Sequence, residues 1–474
     1  MPLFKLVFRG RRREVNDNNV TAVSTRGGRP GLLEEWRVLA HYTVGPVKYY
    51  IYKDDLGNPR LRFEEPPPPP DHVVKDIAAG IREPSTEEER YYFEKYSSGY
   101  GSIYPLVIDG NIEEIAVEGA GRDVSAIHRL FPGRWISVDV RLSRDEVDSL
   151  AVQMARKAGK SISLAVPMAE GLTPEGYRVA VTLSNEVSRF GSSIVVRKYP
   201  EKPLTLGDLI ASRVISPLAA AYLWILVETQ QFILIVGSMG AGKTTLLQAI
   251  ASLIPPFYRV ITIEDTPELK LPVPRWDALV TRHVPPGEQL EEVDLESLLK
   301  FALRRRAEYV IVGEVRGREA RLLAQAAASG HGSMTTLHAD SPEGAVLRLQ
   351  LEPISLPPIF LSLIGSIVHV RRLPTMGGRA KRRVFSITEI QGEELVDIFT
   401  WDPHEDSFKP VTPEEVAERS VSLKRASERL PDVMKDVVME LSERAELLER
   451  IAGEPPEAFN RAVTMFYMKR YGGG

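Results

Sequence analysis

The chain has no cysteine among its 474 residues, so disulfides, thiolate metal sites and cysteine nucleophiles are excluded. It also lacks a long apolar run. The longest, Leu218 to Val227, is ten residues and is closed by Glu228, Thr229, Gln230 and Gln231, whereas a helix that spans a bilayer needs about 20. The N-terminus, MPLFKLVFRGRRREV, is basic but has no apolar core of signal-peptide length. Nor is there an excess of positive charge. Lys and Arg number 60 against 64 Asp and Glu, a formal net charge of -4, which speaks against nucleic acid as the main partner. The expectation is a cytoplasmic protein that reaches the inner face of a membrane through a partner or by weak surface charge.

What is present is an ordinary globular composition, 43% hydrophobic and 26% charged, with length for two or three buried cores. Residues 1–70 form a variable first region of basic clusters and strand-like pieces, ending in the proline run Pro66 to Pro70. Proline fixes φ and supplies no amide donor, so the run is extended. It reads as a linker between domains, or alternatively as a surface loop within one. Residues 71–203 read as a small α/β domain. Its strands are expected at Ile112–Val117, Trp135–Val140, Tyr177–Leu183 and Ser193–Arg197. A helix is expected over Ser143–Ala158, started by a Ser143/Glu146 capping box and with Val147, Leu150, Val152, Met154 and Ala155 as its apolar positions. Residues 204–474 form the third region. Buried strands there alternate with polar turns and helices as in a parallel sheet, followed by a helical tail over 412–474.

The strongest motif starts at the apolar run Phe232 to Val236, which suits a strand buried on both faces. It leads into Gly237, Ser238, Met239, Gly240, Ala241, Gly242, Lys243, Thr244 and Thr245, then a helix-like segment. This is a phosphate-binding loop in its required context of strand, glycine-rich turn and helix. The glycines let successive N–H groups point at phosphate oxygens, and the helix adds its positive dipole end. Lys243 can reach the β- and γ-phosphates, and the Thr244 hydroxyl can join a magnesium shell.

Three further segments carry chemistry. A strand over Tyr258–Ile263 ends in Glu264, Asp265, Thr266, Pro267 and Glu268, acids at the carboxyl end of a parallel strand, where ligands bind in open α/β sheets. A carboxylate there can orient a water beside the γ-phosphate. The strand Tyr309–Val312 is followed by Gly313 and Glu314, so Glu314 is the metal-side carboxylate. The last segment runs from Gly330 to Asp340 and holds His331 and His338. It reads as a loop that senses the γ-phosphate or positions a subunit interface, with a metal site as the lesser alternative.

Taken together, GSMGAGKTT, ITIEDTPEL, YVIVGEVRG and GHGSMTTLHAD resemble the Walker A, Asp box, atypical Walker B and His box of the type II/IV secretion ATPase superfamily. IEEIAVEG, HRLFPGRW, PEGYRVAVTLSNEVSRFGSSIVVRKYP and VHVRRL resemble its archaeal branch, which serves archaeal pili and archaella. The resemblance covers about residues 100 to 400. It implies an α/β fold: a RecA-type P-loop NTPase C-terminal domain, a smaller N-terminal α/β domain with nucleotide bound between them, and a helical tail.

The resemblance also implies site residues and partners. Glu268 falls on the catalytic glutamate, with Glu264 as fallback. Glu314 falls on the Walker B glutamate and His338 on the histidine of TTLH, and an acid of a downstream helix is replaced by Gly365. Arginines reaching a neighbour's nucleotide would come from Arg178, Arg189, Arg197, Arg282 and Arg304, although Arg304 also suits the end of a helix beginning near Asp294. ATP and Mg²⁺ are the implied cofactors, and a homo-hexamer driving an integral membrane platform protein is the implied assembly. A ring that translocates nucleic acid and a nucleotide-dependent scaffold with little turnover are the alternatives.

Overall fold

The computed structural model describes residues 37–131, 133–198, 203–282, 284, 290–374 and 380–472. It comprises two units that divide between Glu201 and Lys202. Most of the basic N-terminal segment therefore lies outside the described residues.

The first unit is built on one nine-stranded sheet. In chain order it contains β1 (Arg37–Val44), β2 (Val47–Lys53), β3 (Pro59–Glu64), α1 (Asp71–Ala78), α2 (Glu87–Ser97), α3 (Tyr104–Ile108), β4 (Ile112–Val117), β5 (Asp123–His128), β6 (Trp135–Arg141), α4 (Arg144–Lys157), β7 (Met168–Leu172), β8 (Arg178–Thr182) and β9 (Ser193–Arg197). The strand order is β1-β2-β3-β6-β5-β4-β9-β8-β7. The pairing of β3 with β6 puts residues on both sides of the proline run into one sheet. Pro66 to Pro70 runs between β3 and α1 of the first unit. The capping box of α4 is formed by Ser143 and Glu146. Its buried face uses Ala151, where the sequence suggested Val152. A polar cluster sits in the core: Tyr42 bonds Asp109 and lies 3.0 Å from His128 Nε2, and burial holds the His128 imidazole neutral, its pKa pushed down to about 3.

The second unit contains α5 (Leu206–Ala211), α6 (Pro217–Glu228), β10 (Phe232–Gly237), α7 (Lys243–Ala251), β11 (Val260–Glu264), β12 (Trp276–Val280), α8 (Leu295–Ala302), β13 (Tyr309–Val312), α9 (Glu319–Ala328), β14 (Gly332–His338), α10 (Pro342–Gln350), α11 (Pro358–Leu361), β15 (Ile364–Pro374), β16 (Ala380–Gln391), β17 (Glu394–Asp402), β18 (Ser407–Lys409) and the tail helices α12 (Pro413–Arg419), α13 (Val421–Arg429), α14 (Val437–Arg450) and α15 (Pro456–Tyr471). Its sheet has the order β12-β11-β13-β14-β10-β15-β16-β17-β18. The strands from β12 to β15 are parallel, and β16, β17 and β18 extend the sheet antiparallel. Two sequence expectations change here. Gly332–His338 is a central strand, buried as far as Leu337, rather than a loop, because its small and β-branched residues fit between two other strands. Gly365 lies in β15, not in a helix.

Alternation along β10 sorts the core into two layers. Ile233 and Ile235 join α6, α7 and the tail on one face. Phe232, Leu234 and Val236 join α8, α9 and α10 on the other. The run Leu218–Val227 is the heart of α6, of which Ala219 through Glu228 are all buried, as expected of a helix that is apolar all round. The tail supplies part of that cover. Trp224 Nε1 donates to Tyr467 Oη at 2.7 Å, and Tyr467 Oη donates to the Leu253 carbonyl just beyond α7 at 2.8 Å. Arg444, fully buried, pairs with Glu228 of α6 and Glu440 of α14, and Arg470 also reaches Glu440.

Removing one partner of a buried ion cluster strands the others. Arg444→Met is therefore expected to destabilise the second unit by about 3 kcal/mol or more. Arg461→Met, on an exposed position of α15, should stay within about 0.5 kcal/mol. Urea unfolding of the two variants tests this, and equal midpoints would show that the cluster does not hold the tail.

Candidate active site

Because β11, β13, β14 and β10 run parallel, their carboxyl ends emerge along one edge of the sheet, and the polar segments that follow them meet there. Gly237 ends β10 where no side chain fits: a Cβ would stand 2.3 Å from the Val370 carbonyl oxygen of β15. The chain then turns through Gly240 and Gly242 at φ of +71° and +99°, a conformation that glycine adopts without steric penalty. Gly242 caps α7, and Lys243 and Thr244 form its first turn. Ser238, Met239 and Gly240 are exposed, Ala241 is buried and Thr244 is half-buried.

Lys243 is buried, and burial lowers its pKa from the usual lysine range. Its Nζ donates to the Ser238 carbonyl at 3.2 Å and lies 3.1 Å from His338 Nδ1 at the end of β14. Burial, and then the positive charge of Lys243, depress the pKa of His338. A neutral ring is thus favoured, with Nδ1 accepting from the ammonium. On its other side, His338 Nε2 stands 3.1 Å from Glu314 Oε1 but out of hydrogen-bond alignment. That oxygen is buried and accepts no hydrogen bond among the described residues. Glu314 Oε2 accepts from Arg316 Nη2 at 2.6 Å, and Arg348 Nη1 donates to the His338 carbonyl at 2.6 Å. An open cleft of about 440 Å³ adjoins the loop, lined among others by Ser238, Met239, His338, Asp340, Ser341 and Arg348.

A buried carboxylate oxygen with an unused lone pair and a threonine hydroxyl in the first turn of α7 are hard donors of the kind that Mg²⁺ takes. Glu314 and Thr244 are the residues that would hold it.

Glu264, the last residue of β11, is buried and turned towards backbone. Its Oε1 accepts from the amides of Glu268 at 2.9 Å and Leu269 at 3.1 Å. Burial nevertheless outweighs those bonds and pushes its pKa up to about 7. Gly313 makes room for it, since a Cβ there would lie 3.2 Å from Glu264 Cγ. Glu268 is half-buried in the loop that Glu264 shapes.

The remaining predicted residues have other surroundings within their own units. His331, at the opposite end of β14, bonds the Ala307 carbonyl at 2.7 Å, roughly 20 Å of strand from His338. Arg282 donates to the Glu291 carbonyl at 3.0 Å, and Arg304 is exposed after α8. Arg178 and Arg197 face each other across β8 and β9 in the first unit and pair with Glu170 and Glu114. Arg189 lies beside the Phe190 ring in the turn before β9. Sequence reasoning missed Arg316, although it sits inside the quoted GEVRG segment. It also missed Arg348, which a helix delivers and no motif announces.

Residues 99–373, more than half of the chain, match the type II/IV secretion system protein family. An uncharacterised protein of Methanocaldococcus jannaschii is 41% identical over 256 residues, 52% of this chain and 92% of that one. Type IV secretion system protein PtlH of Bordetella pertussis is 30% identical over 322 residues, 60% of this chain and 92% of PtlH. Among solved structures, the VirB11 ATPase from the Brucella suis type IV secretion system, in complex with sulphate, is 26% identical. It covers 61% of this chain and 96% of its own, at a TM-score of 0.30. Since the match spans more than half of the chain and includes the phosphate loop with Lys243, Glu264, Glu314 and His338, the chain belongs to the type II/IV secretion system protein family.

Proposed function

We propose that this protein is a magnesium-dependent ATPase that works as a homo-hexamer and drives an integral membrane platform protein of a pilus, archaellum or secretion machine. It would act from the cytoplasm, at the inner face of the membrane. The observation that carries this reading is the chain of contacts from Lys243 through His338 to Glu314 at the mouth of a glycine-rich phosphate loop. Among the described residues no helix is long and apolar enough to cross a membrane, which suits an engine that acts through a partner.

In this reading the loop amides and Lys243 bind the β- and γ-phosphates, and Lys243 exchanges His338 for phosphate oxygen when ATP enters. His338 then faces the γ-phosphate and reports its presence to Glu314. Bound Mg²⁺ would neutralise phosphate charge as the β–γ bridge breaks. Glu268 orients the attacking water and takes its proton. Glu264 is a positioning residue: by accepting the Glu268 and Leu269 amides it fixes the loop from which Glu268 acts. Arginines acting on a neighbour's nucleotide would come from Arg178, Arg189, Arg197, Arg282 and Arg304.

Turnover per subunit is expected to rise with protein concentration as the ring assembles. Lys243→Ala and Glu268→Gln should each lower turnover about 10²-fold or more. Glu264→Gln should lose less, since an amide oxygen still accepts both backbone bonds. Steady-state phosphate release measures all three, and flat, negligible turnover in the wild type would sink the proposal. If Glu264→Gln were the more damaged glutamine variant, the two glutamates would exchange roles.

Glu264 also makes stability depend on pH. Its folded pKa of about 7 lies above the ordinary 4.5, so the folded chain keeps a proton that the unfolded chain releases. The resulting stability is full below pH 4.5 and is lost as pH rises to 7, by about 1.4 kcal/mol per unit. Relative to wild type, Glu264→Gln should therefore gain up to about 3 kcal/mol between pH 4.5 and 7. Parallel pH series of denaturation midpoints check the sign.

A further inference from the structure

Strands β15 and β16 bring together Arg371, Arg372, Lys381, Arg382 and Arg383. Arg371 is registered opposite Arg383, and Arg372 opposite Arg382. Since successive residues of a strand point to opposite faces, the two pairs lie on different sides of the sheet. The first face carries Arg371, Lys381 and Arg383. Arg383 makes a two-pronged ion pair with Asp406, at 2.8 and 2.9 Å. Lys381 lies 3.5 Å from the same carboxylate, and Arg371 stacks over the Phe385 ring at 4.6 Å.

The second face is turned to the phosphate loop. A Cβ added to Gly242 would stand 3.3 Å from Arg382 Cδ and 3.7 Å from its Nε. One added to Gly240 would stand 3.9 Å from Arg372 Nη1. Two guanidinium groups are thus brought over the two left-handed glycines of the loop. A phosphate chain seated in the loop would accept paired N–H bonds from guanidinium groups so placed.

We infer that Arg372 and Arg382 are nucleotide-binding residues that hold the α-phosphate and nucleoside end of the ligand from within the same subunit. The inference rests on the ATPase reading above and deepens it. Strands β14 and β15 flank β10 on opposite sides. His338 and Glu314, which take the γ-phosphate and metal side, come from the β13 and β14 side, so a nucleotide laid across the loop runs its other end towards the β15–β16 hairpin. The geometry assigns these arginines to features that ADP and ATP share. Arg382 lies beyond residues 99–373, the segment matched by the family.

The test is equilibrium binding of fluorescent ADP and of non-hydrolysed ATP analogue to the full chain, with steady-state turnover alongside. Arg372→Ala and Arg382→Ala should each weaken both ligands about tenfold and raise KM for ATP, with kcat nearly unchanged. Arg382→Lys should recover part of the loss. Arg371→Ala, on the other face, should bind as the wild type does and controls for folding of the hairpin. If the wild type binds ADP, Lys243→Ala abolishes it and both arginine variants bind normally, this inference falls and the ATPase reading stands. A loss of kcat or of ATP affinity with ADP affinity intact would also overturn it, by moving the arginines to the γ-phosphate end. A wild type that binds neither nucleotide overturns both.

Discussion

Strand β10 has no polar side chain, and it is buried over its whole length between β14 and β15. Everything at the candidate site depends on that placement. A strand hydrogen-bonded on both edges and covered on both faces cannot slip without exposing its apolar set, so the point where it ends is fixed. The glycine-rich turn therefore starts at a defined height. The ends of β13 and β14 deliver Glu314 and His338 to the same height, because parallel strands run in register with it.

The helical tail contributes to the same fixity from behind. It completes the cover of α6, and its Tyr467 bonds both Trp224 and the Leu253 carbonyl beyond α7. Gly207 of α5 has no room for a side chain, since a Cβ would meet Phe459 at 2.8 Å. Helix α7 carries Lys243 at its first position, so what backs its far end also steadies the phosphate loop. The buried Arg444 cluster ties α14 to α6. Its charges are paired with one another, which is the condition under which such groups tolerate burial.

The two acids of the 264–268 segment show how environment divides similar side chains. Glu264 is enclosed and bonded to backbone, with a pKa near neutrality. Glu268, four residues on, is half-buried in the loop those bonds organise. Spacing alone could not separate them. One shapes the loop and the other stands within it.

The sequence by itself determined the elements with unambiguous local signals. The apolar run before the glycines, the capping box at Ser143, the strands at Ile112–Val117 and Ser193–Arg197 and the helical tail were all legible, because periodicity and turn chemistry are local properties. The sequence also placed Lys243, Glu264, Glu314 and His338 at or just past the carboxyl ends of buried strands, because each sits in a motif that follows an apolar run. Only the tertiary structure decided the rest. It put His331 just before β14 and His338 at the strand's other end, and it joined residues 37–64 to the sheet of the first unit through β3 and β6. It also carried Arg372 and Arg382 to the phosphate loop. Those outcomes turn on strand order and register, which are set by which faces must be buried against one another, and no window of neighbouring residues contains that information.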